Sequence, residues 1–255
     1  MTPHSNNQDT DFLVKLVKRS AKFARQSFST SEKDNHGDLV TSSDLGIEAY
    51  IIKHFKKRYP NFDIVSEEFN PEGILSDNCL IIDPIDGTIN FAHGIPLWGI
   101  QVALQKDGEI TCAVLYFPKL QEMFWADPSG AYKNGERITV SNTPFNKALY
   151  LVEGGPKFAA LTEMEKCCSR HWRYYCCSAL NHAWTACGRL GGMIYRKEHV
   201  WDYLPGQYLV KQAGGTVINE PKGHVVANTP EFAQMLIQHG KSQERPVGCE
   251  LCMKK

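Results

Sequence analysis

Residues 81–94 read IIDPIDGTINFAHG, which places Asp83 and Asp86 three positions apart around Pro84 and turns the chain at Gly87. Further acids stand at comparable places: Glu67 and Glu68 after the apolar run in FDIV, and Asp202 beside Trp201. Carboxylates crowded together repel and raise one another's pKa unless a cation neutralises them. A cluster of this kind therefore implies a metal. Hard oxygen ligands suit magnesium or manganese, not zinc, and two such ions about 4 Å apart can activate a water and stabilise the leaving oxygen in phosphoryl transfer. Gly87 and Thr88 follow at an expected helix N-terminus, where free backbone N–H groups favour an anion. Each motif alone has a plainer reading: Asp-Gly as a hairpin turn, Glu67-Glu68 as a solvated loop, Trp201-Asp202 as a packed indole beside a helix cap. Two residues rather than one separate Asp83 from Asp86, so the pair is not the DxD signature of a covalent aspartyl-phosphate nucleophile.

The elements that must position these acids follow from apolar spacing. Phe12, Leu13, Leu16, Val17 and Phe23 keep a helical period. SFSTSEKDNHGD (27–38) has loop composition, and a second helix follows LVT, with Ser43 or Asp44 placed to cap it and Pro60 to end it. FDIVSEEF and NCLIIDPIDG read as strands that run into carboxylates, and GIQVALQKDGEITCAVLYFP reads as a hairpin turning at Asp107-Gly108. EMFWADPSGAYKNGERI continues the β pattern. YLVEGG reads as a strand, ALTEMEKCCSRHW and SALNHAWTACGRL as helices, and DYLPGQYLVKQAGG as a helix closed by Gly214-Gly215. The change of character places a boundary at 144/145, with residues 1–144 carrying most of the acids and 145–255 carrying Asp202.

At 255 residues the chain can bury a sizeable core. Lys plus Arg and Asp plus Glu balance at 28 each, so no whole-chain field recruits nucleic acid or an anionic membrane, and any preference for an anionic substrate must be local. The start has no signal-peptide run and no stretch is apolar enough to span a bilayer, which gives the expectation of a soluble, cytoplasmic protein. The nine cysteines, an odd number without an even framework, read as reduced thiols. Cys249 and Cys252 have metal-ligand spacing, but no second such pair accompanies them.

Taken together, DLVTSSD (38–44), VSEEF (65–69), IIDPIDGTINFAHGIP (81–96), and WD with QAGG (201–215) resemble the inositol monophosphatase family of magnesium-dependent, lithium-sensitive phosphatases. The resemblance covers nearly the whole chain. It implies an α+β fold, a layered αβαβα sandwich of two halves, usually paired as a homodimer, with the site between the halves. By position, Glu67, Asp83 and the carbonyl of Ile85 would hold a first Mg2+, and Asp83, Asp86 and Asp202 a second. Glu67 would help with a weaker third, and Mn2+ is an alternative ion. Asp44 and Thr88 match the pair that orients and deprotonates the attacking water, with Glu68 as a supporting acid. Lys33 matches a lysine of the family's mobile metal loop. Asp86, Gly87 and Thr88 would meet the substrate phosphate, in a reaction that needs no phosphoenzyme.

Three departures concern the alcohol side. Where the inositol phosphatases carry a substrate-reading glutamate, this chain writes GRLGGMIY and offers Tyr195; where they carry a Gly-Ser/Thr-Ala-Ala turn, it writes CCSA (176–179), with Ser178 as a candidate contact; and the tail after Gly215 is shortened. The expected activity is hydrolysis of a small polyol or sugar phosphate, inositol 1-phosphate first. The alternatives are a 3'-phosphoadenosine nucleotidase or histidinol-phosphate phosphatase of the same superfamily, a transcription-complex binding partner, and a metal-binding pseudoenzyme that the complete ligand set disfavours.

Overall fold

The computed structural model describes residues 7–24, 30–32, 39–152, 171–196, 199–220 and 223–240. Its outermost layer is a pair of helices, α1 (Gln8–Ser20) and α2 (Ser42–Arg58). The Asn7 side chain accepts the Asp9 N–H to cap α1, and Leu13, Val14, Leu16 and Val17 turn inward, as the helical spacing requires. Between the two helices, Thr30–Glu32 (β1) pairs with Leu39–Thr41 (β2). The polar composition of 27–38 conceals β1, because TSE offers no apolar alternation to read. The cap of α2 also differs from expectation. Thr41 is the N-cap and accepts the Ser43 and Asp44 N–H groups, while Asp44 reaches back to the Thr41 N–H in a capping box.

The second layer is a sheet of seven strands in chain order: β3 (Asp63–Ser66), β4 (Cys79–Asp86), β5 (Gly99–Lys106), β6 (Glu109–Phe117), β7 (Glu122–Asp127), β8 (Gly130–Lys133) and β9 (Glu136–Ile138). Only β3 and β4 pair in parallel. The β5–β6 turn uses Asp107 and Gly108, both left-handed at φ 52° and 82°, as a two-residue hairpin loop demands. β4 explains the unbroken apolar run CLII. Leu80 and Ile82 pack with α1 and α2, while Cys79 and Ile81 face the opposite side, so both faces are buried.

A middle layer holds α4 (Ser178–Ala186) and α5 (Val200–Gln212), and α3 (Thr88–Ala92) is a five-residue helix at the end of β4. The fourth layer is a five-stranded sheet in the order β11 (Trp172–Arg173), β10 (Tyr150–Val152), β12 (Gly192–Arg196), β14 (Gly223–Ala227), β13 (Thr216–Glu220). Phe232, Ala233 and Leu236 of α6 (Pro230–Gly240) cover its far face against Tyr150 and Val225. The order is helices, sheet, helices, sheet, helix, an α+β αβαβα sandwich. Position 144/145 falls between the two sheets. One buried cluster nevertheless crosses them, joining Val65, Ile81 and Leu115 to Leu180, Met193, Leu209 and Val226. Among the described residues, no helix is long and apolar enough to cross a membrane. Lys33, most of ALTEMEKCCSRHW, Cys249 and Cys252 lie outside the described residues.

Candidate active site

Strand parity decides where β4 aims its first aspartate. Residues 79, 81 and 83 share a face, and that face looks into the middle helical layer. Asp83 is consequently 1 % exposed, and burial together with the charges of Glu67, Asp86 and Asp202 pushes its pKa well above the usual carboxylate range. The Gln101 amide, opposite it on β5, donates to Oδ2 at 3.1 Å and offsets part of that cost. The register breaks between Asp83 and Asp86, and this irregularity brings the second aspartate toward α4. There Asp86 Oδ2 accepts the Ala179 N–H, the Ser178 hydroxyl at 3.2 Å and the Cys177 thiol at 3.2 Å. Burial still raises its pKa, against the pull of those donors.

Asp202 comes from the other half, in the first turn of α5, where Oδ2 accepts the His199 N–H at 3.2 Å. The plainer reading of Trp201-Asp202 therefore also describes the molecule, since Trp201 is 4 % exposed and Asp202 is a helix cap. Ser178, entered above as a substrate contact, is 3 % exposed and is spent on two partners, the Asp202 carbonyl at 2.7 Å and Asp86 Oδ2. Its place is that of a bracket between acids of the two halves.

Asp44 is fully buried at the start of α2, and its pKa rises to about 7. Burial is the largest cause, Glu67 and Glu68 add to it, and the Thr41 hydrogen bonds oppose it. Thr88 donates its hydroxyl to the Ile85 carbonyl at 2.9 Å, tying two of the assigned residues together. Gly87 takes φ 86° to turn from β4 into α3. Cys176 occupies φ 53°, a left-handed conformation that costs a non-glycine residue about 1–2 kcal/mol, at the position where the related motif writes glycine. Asn90 holds this turn against α3, donating to the carbonyls of Leu97 at 2.8 Å and Tyr175 at 2.7 Å.

Two positioning residues were missed from the sequence. Glu48 is fully buried on α2 and accepts the backbone N–H groups of Glu68 at 3.0 Å and Phe69 at 2.8 Å, which fixes the turn carrying Glu67. Gln101 does the equivalent for Asp83. A Glu four residues after Asp44 on the same helical face was the available signal for the first. We expect Glu48→Gln to lower unfolding stability by about 1–3 kcal/mol, because one acceptor becomes a donor facing N–H groups it cannot satisfy. The magnesium concentration for half-maximal activity should rise as well. A urea midpoint and a magnesium response both equal to wild type would show that Glu48 does not hold the turn.

Among the described residues, no group of three or more His, Cys, Asp or Glu side chains is arranged to hold a metal ion as it stands, so the case for a cation is made by the chemistry of the donors. Two buried oxygens of the cluster nonetheless accept no hydrogen bond, Asp83 Oδ1 and Asp44 Oδ1. Buried anionic oxygens lacking donors, among mutually repelling carboxylates, are what a hard divalent cation compensates. The residues fit such an ion.

The description "Inositol monophosphatase family" matches residues 5–243. A Thermotoga maritima protein named fructose-1,6-bisphosphatase/inositol-1-monophosphatase is 34 % identical over 217 residues, covering 81 % of this chain and 83 % of the relative. Inositol monophosphatase 3 of Solanum lycopersicum is 32 % identical, covering 86 % and 88 %. Among solved structures, a Thermotoga maritima IMPase superposes with a TM-score of 0.83 at 29 % identity, over 92 % of this chain and 99 % of that one. With its fold, its acidic cluster and these relatives in agreement, the chain belongs to the inositol monophosphatase family and is a phosphoric monoester hydrolase.

Proposed function

We propose that the protein hydrolyses a small polyol or sugar phosphate monoester by direct attack of water, with inositol 1-phosphate the first candidate. The observation that carries this reading is Asp83, buried among Glu67, Asp86 and Asp202 with one oxygen that accepts no hydrogen bond. Glu67, Asp83, Asp86, Asp202 and the Ile85 carbonyl would hold two or three magnesium ions, or manganese. Bound divalent ions supply positive charge that lowers the pKa of water and neutralises the phosphate oxygens. Asp44 takes the proton from the attacking water, with Thr88 orienting that water and Glu68 supporting the base. The Gly87 and Thr88 amides meet the phosphate. The family resemblance also supports a cytoplasmic homodimer and sensitivity to lithium.

Asp44 gives this reading a pH dependence. A base must be ionised to accept a proton, so kcat/KM should rise with pH through an acid limb no higher than about 7, the value set by its burial and by Glu67 and Glu68, and bound cations would draw the limb lower. The stability of the metal-free protein should run the other way. Asp44 has a folded pKa above its unfolded value, so its contribution is complete below about pH 4 and is lost as pH rises toward 7. A kcat/KM profile with no acid limb at any pH at which the protein stays folded would remove Asp44 from the role of base.

Phosphate release from a panel of monophosphates, with magnesium present, tests the substrate class. Turnover of polyol and sugar phosphates supports it, and turnover confined to 3'-phosphoadenosine nucleotides or histidinol phosphate would replace it. A second reading, a partner of a transcription complex, has one structural observation in its favour. Lys15, Lys18 and Arg19 of α1, Lys22 just after it, and Lys53 and Lys57 of α2 are all exposed on one layer, so the overall charge balance conceals local basic surface. Relatives named Nus factor SuhB include an Escherichia coli protein 28 % identical over 254 residues, covering 90 % of this chain and 94 % of the relative. RNA binding that falls steeply from 50 to 200 mM salt, and that is lost on Lys18→Glu with Lys57→Glu, would support it. No binding at the lower salt would dismiss it.

A further inference from the structure

Behind the wall assigned to the leaving alcohol lies a buried pair of histidines that the proposed chemistry does not use. His182 of α4 is fully buried and His224 of β14 is 1 % exposed. Their Nε2 atoms lie 3.2 Å apart, and their rings meet end to end with centroids 5.3 Å apart and planes 25° from parallel. The fold makes room for them. At Gly206 of α5 a Cβ would come within 2.3 Å of His182 Cγ, so only glycine admits the imidazole there.

Their protons can be assigned. His182 Nδ1 lies 2.7 Å from the Ser178 carbonyl, which can only accept, so Nδ1 carries the hydrogen. Burial holds the pKa of His182 down to about 4, so at neutral pH the ring is uncharged and its Nε2 is a bare acceptor. The hydrogen between the two rings therefore sits on His224 Nε2. His224 is the donor and His182 the acceptor.

One end of this pair meets Tyr195, and the other is tied to Ser178 beside Asp86. Tyr195 and His224 are directly opposed on β12 and β14, with ring centroids 5.0 Å apart, and Tyr203 of α5 packs on His224 at 5.2 Å. At the other end, Ser178, whose carbonyl anchors His182, has its hydroxyl between the Asp202 carbonyl and Asp86. We propose that His224, locked by its hydrogen bond to His182, is a positioning residue that fixes the Tyr195 ring in the alcohol-facing wall and so sets which phosphate esters the enzyme prefers. An aromatic ring alone could fill the volume. Only a donor at the Nε2 position also satisfies His182, and a ring free to tilt would move Tyr195 with it. The proposal rests on the reading of Tyr195 as part of that wall.

The test compares His224→Phe and His224→Gln with wild type on inositol 1-phosphate and glycerol phosphate. Glutamine places an N–H near the Nε2 position, and phenylalanine keeps the ring without the donor. We expect the Phe variant to change the ratio of kcat/KM between the two substrates by threefold or more, mainly through KM. The Gln variant, which restores the donor but not the ring, should move the ratio by less than the Phe variant does. A ratio unchanged in a folded Phe variant, or equal changes in both variants, would overturn the proposal. Should the Phe variant not fold, nitrogen-15 NMR of the wild-type imidazoles decides. The Nδ1–H form of His182 with the Nε2–H form of His224 is expected, and any other combination overturns the positioning role. That spectrum is read on the resting protein. A wild type that hydrolyses no phosphate ester would defeat the functional reading itself, whatever the tautomers.

Discussion

Asp83→Asn is expected to lower kcat by about 10²–10³-fold or more while making the metal-free protein more stable. The two effects share one cause. Asp83 is the carboxylate whose pKa is raised by burial and by Glu67, Asp86 and Asp202, so ionising it at neutral pH costs folding free energy that only a bound cation returns. Because the folded pKa lies well above that of an ordinary aspartate, its contribution to stability is complete below about pH 4 and is lost as pH rises through the folded value. Asparagine has nothing to ionise. Without metal at pH 7.5 the variant should melt roughly 2–4 °C above wild type, what about 1 kcal/mol of relieved repulsion yields in a protein of this size. At pH 4 the difference should vanish. Melting in EDTA at both pH values, with turnover in magnesium, checks both halves. A variant of wild-type activity, or one less stable than wild type at pH 7.5, would mean that Asp83 is not a strained ligand.

Gly87→Ala should be damaging through the backbone. Gly87 sits at φ 86°, and a Cβ added there would lie 3.0 Å from the Leu97 carbonyl oxygen, 3.2 Å from that of Cys176 and 3.3 Å from Cys177 Cβ. The left-handed conformation alone costs a residue with a Cβ about 1–2 kcal/mol, and the contacts push the turn away from the Cys176–Cys177 segment. A displacement of about 1 Å at a site that must orient water and phosphate can cost about 10²-fold in rate. We expect that loss in kcat/KM together with a stability loss of about 1–3 kcal/mol by denaturant unfolding. Asp86 meets the same segment through Cys177, Ser178 and Ala179, so the variant should also bind magnesium more weakly. Activity within twofold of wild type would show that the turn tolerates the shift.

The elements with a buried face were legible. CLII in β4 and the helical spacing of α1 reflect how many sides of each element are covered, and coverage writes itself into composition. The acidic positions were legible because few arrangements place so many carboxylates at strand and helix ends. Residues whose meaning depends on a tertiary neighbour were not. Glu48 carries only its i+4 spacing from Asp44 as a local signal and Gln101 carries none, and it is the turn at Glu68 and the aspartate across the sheet that give them work. Thr41 took the cap of α2 because its hydroxyl satisfies two N–H groups while Asp44 completes the box, a choice between adjacent polar residues that sequence leaves open. What Ser178 does in the ligand-free molecule was not legible from its place in CCSA, because its hydroxyl meets the Asp202 carbonyl only through the packing of α4 against α5.

Buried Asp83 and the half-buried Glu67, Asp86 and Asp202 around it are expected to serve a divalent cation that the hydrolysis requires. Phosphate release from inositol 1-phosphate, measured on exhaustively chelated protein against added magnesium, tests it most directly. We expect no turnover without the ion, recovery over the millimolar range that ions held by a few carboxylates with retained waters imply, and suppression by lithium. Full turnover in the chelated protein would contradict it.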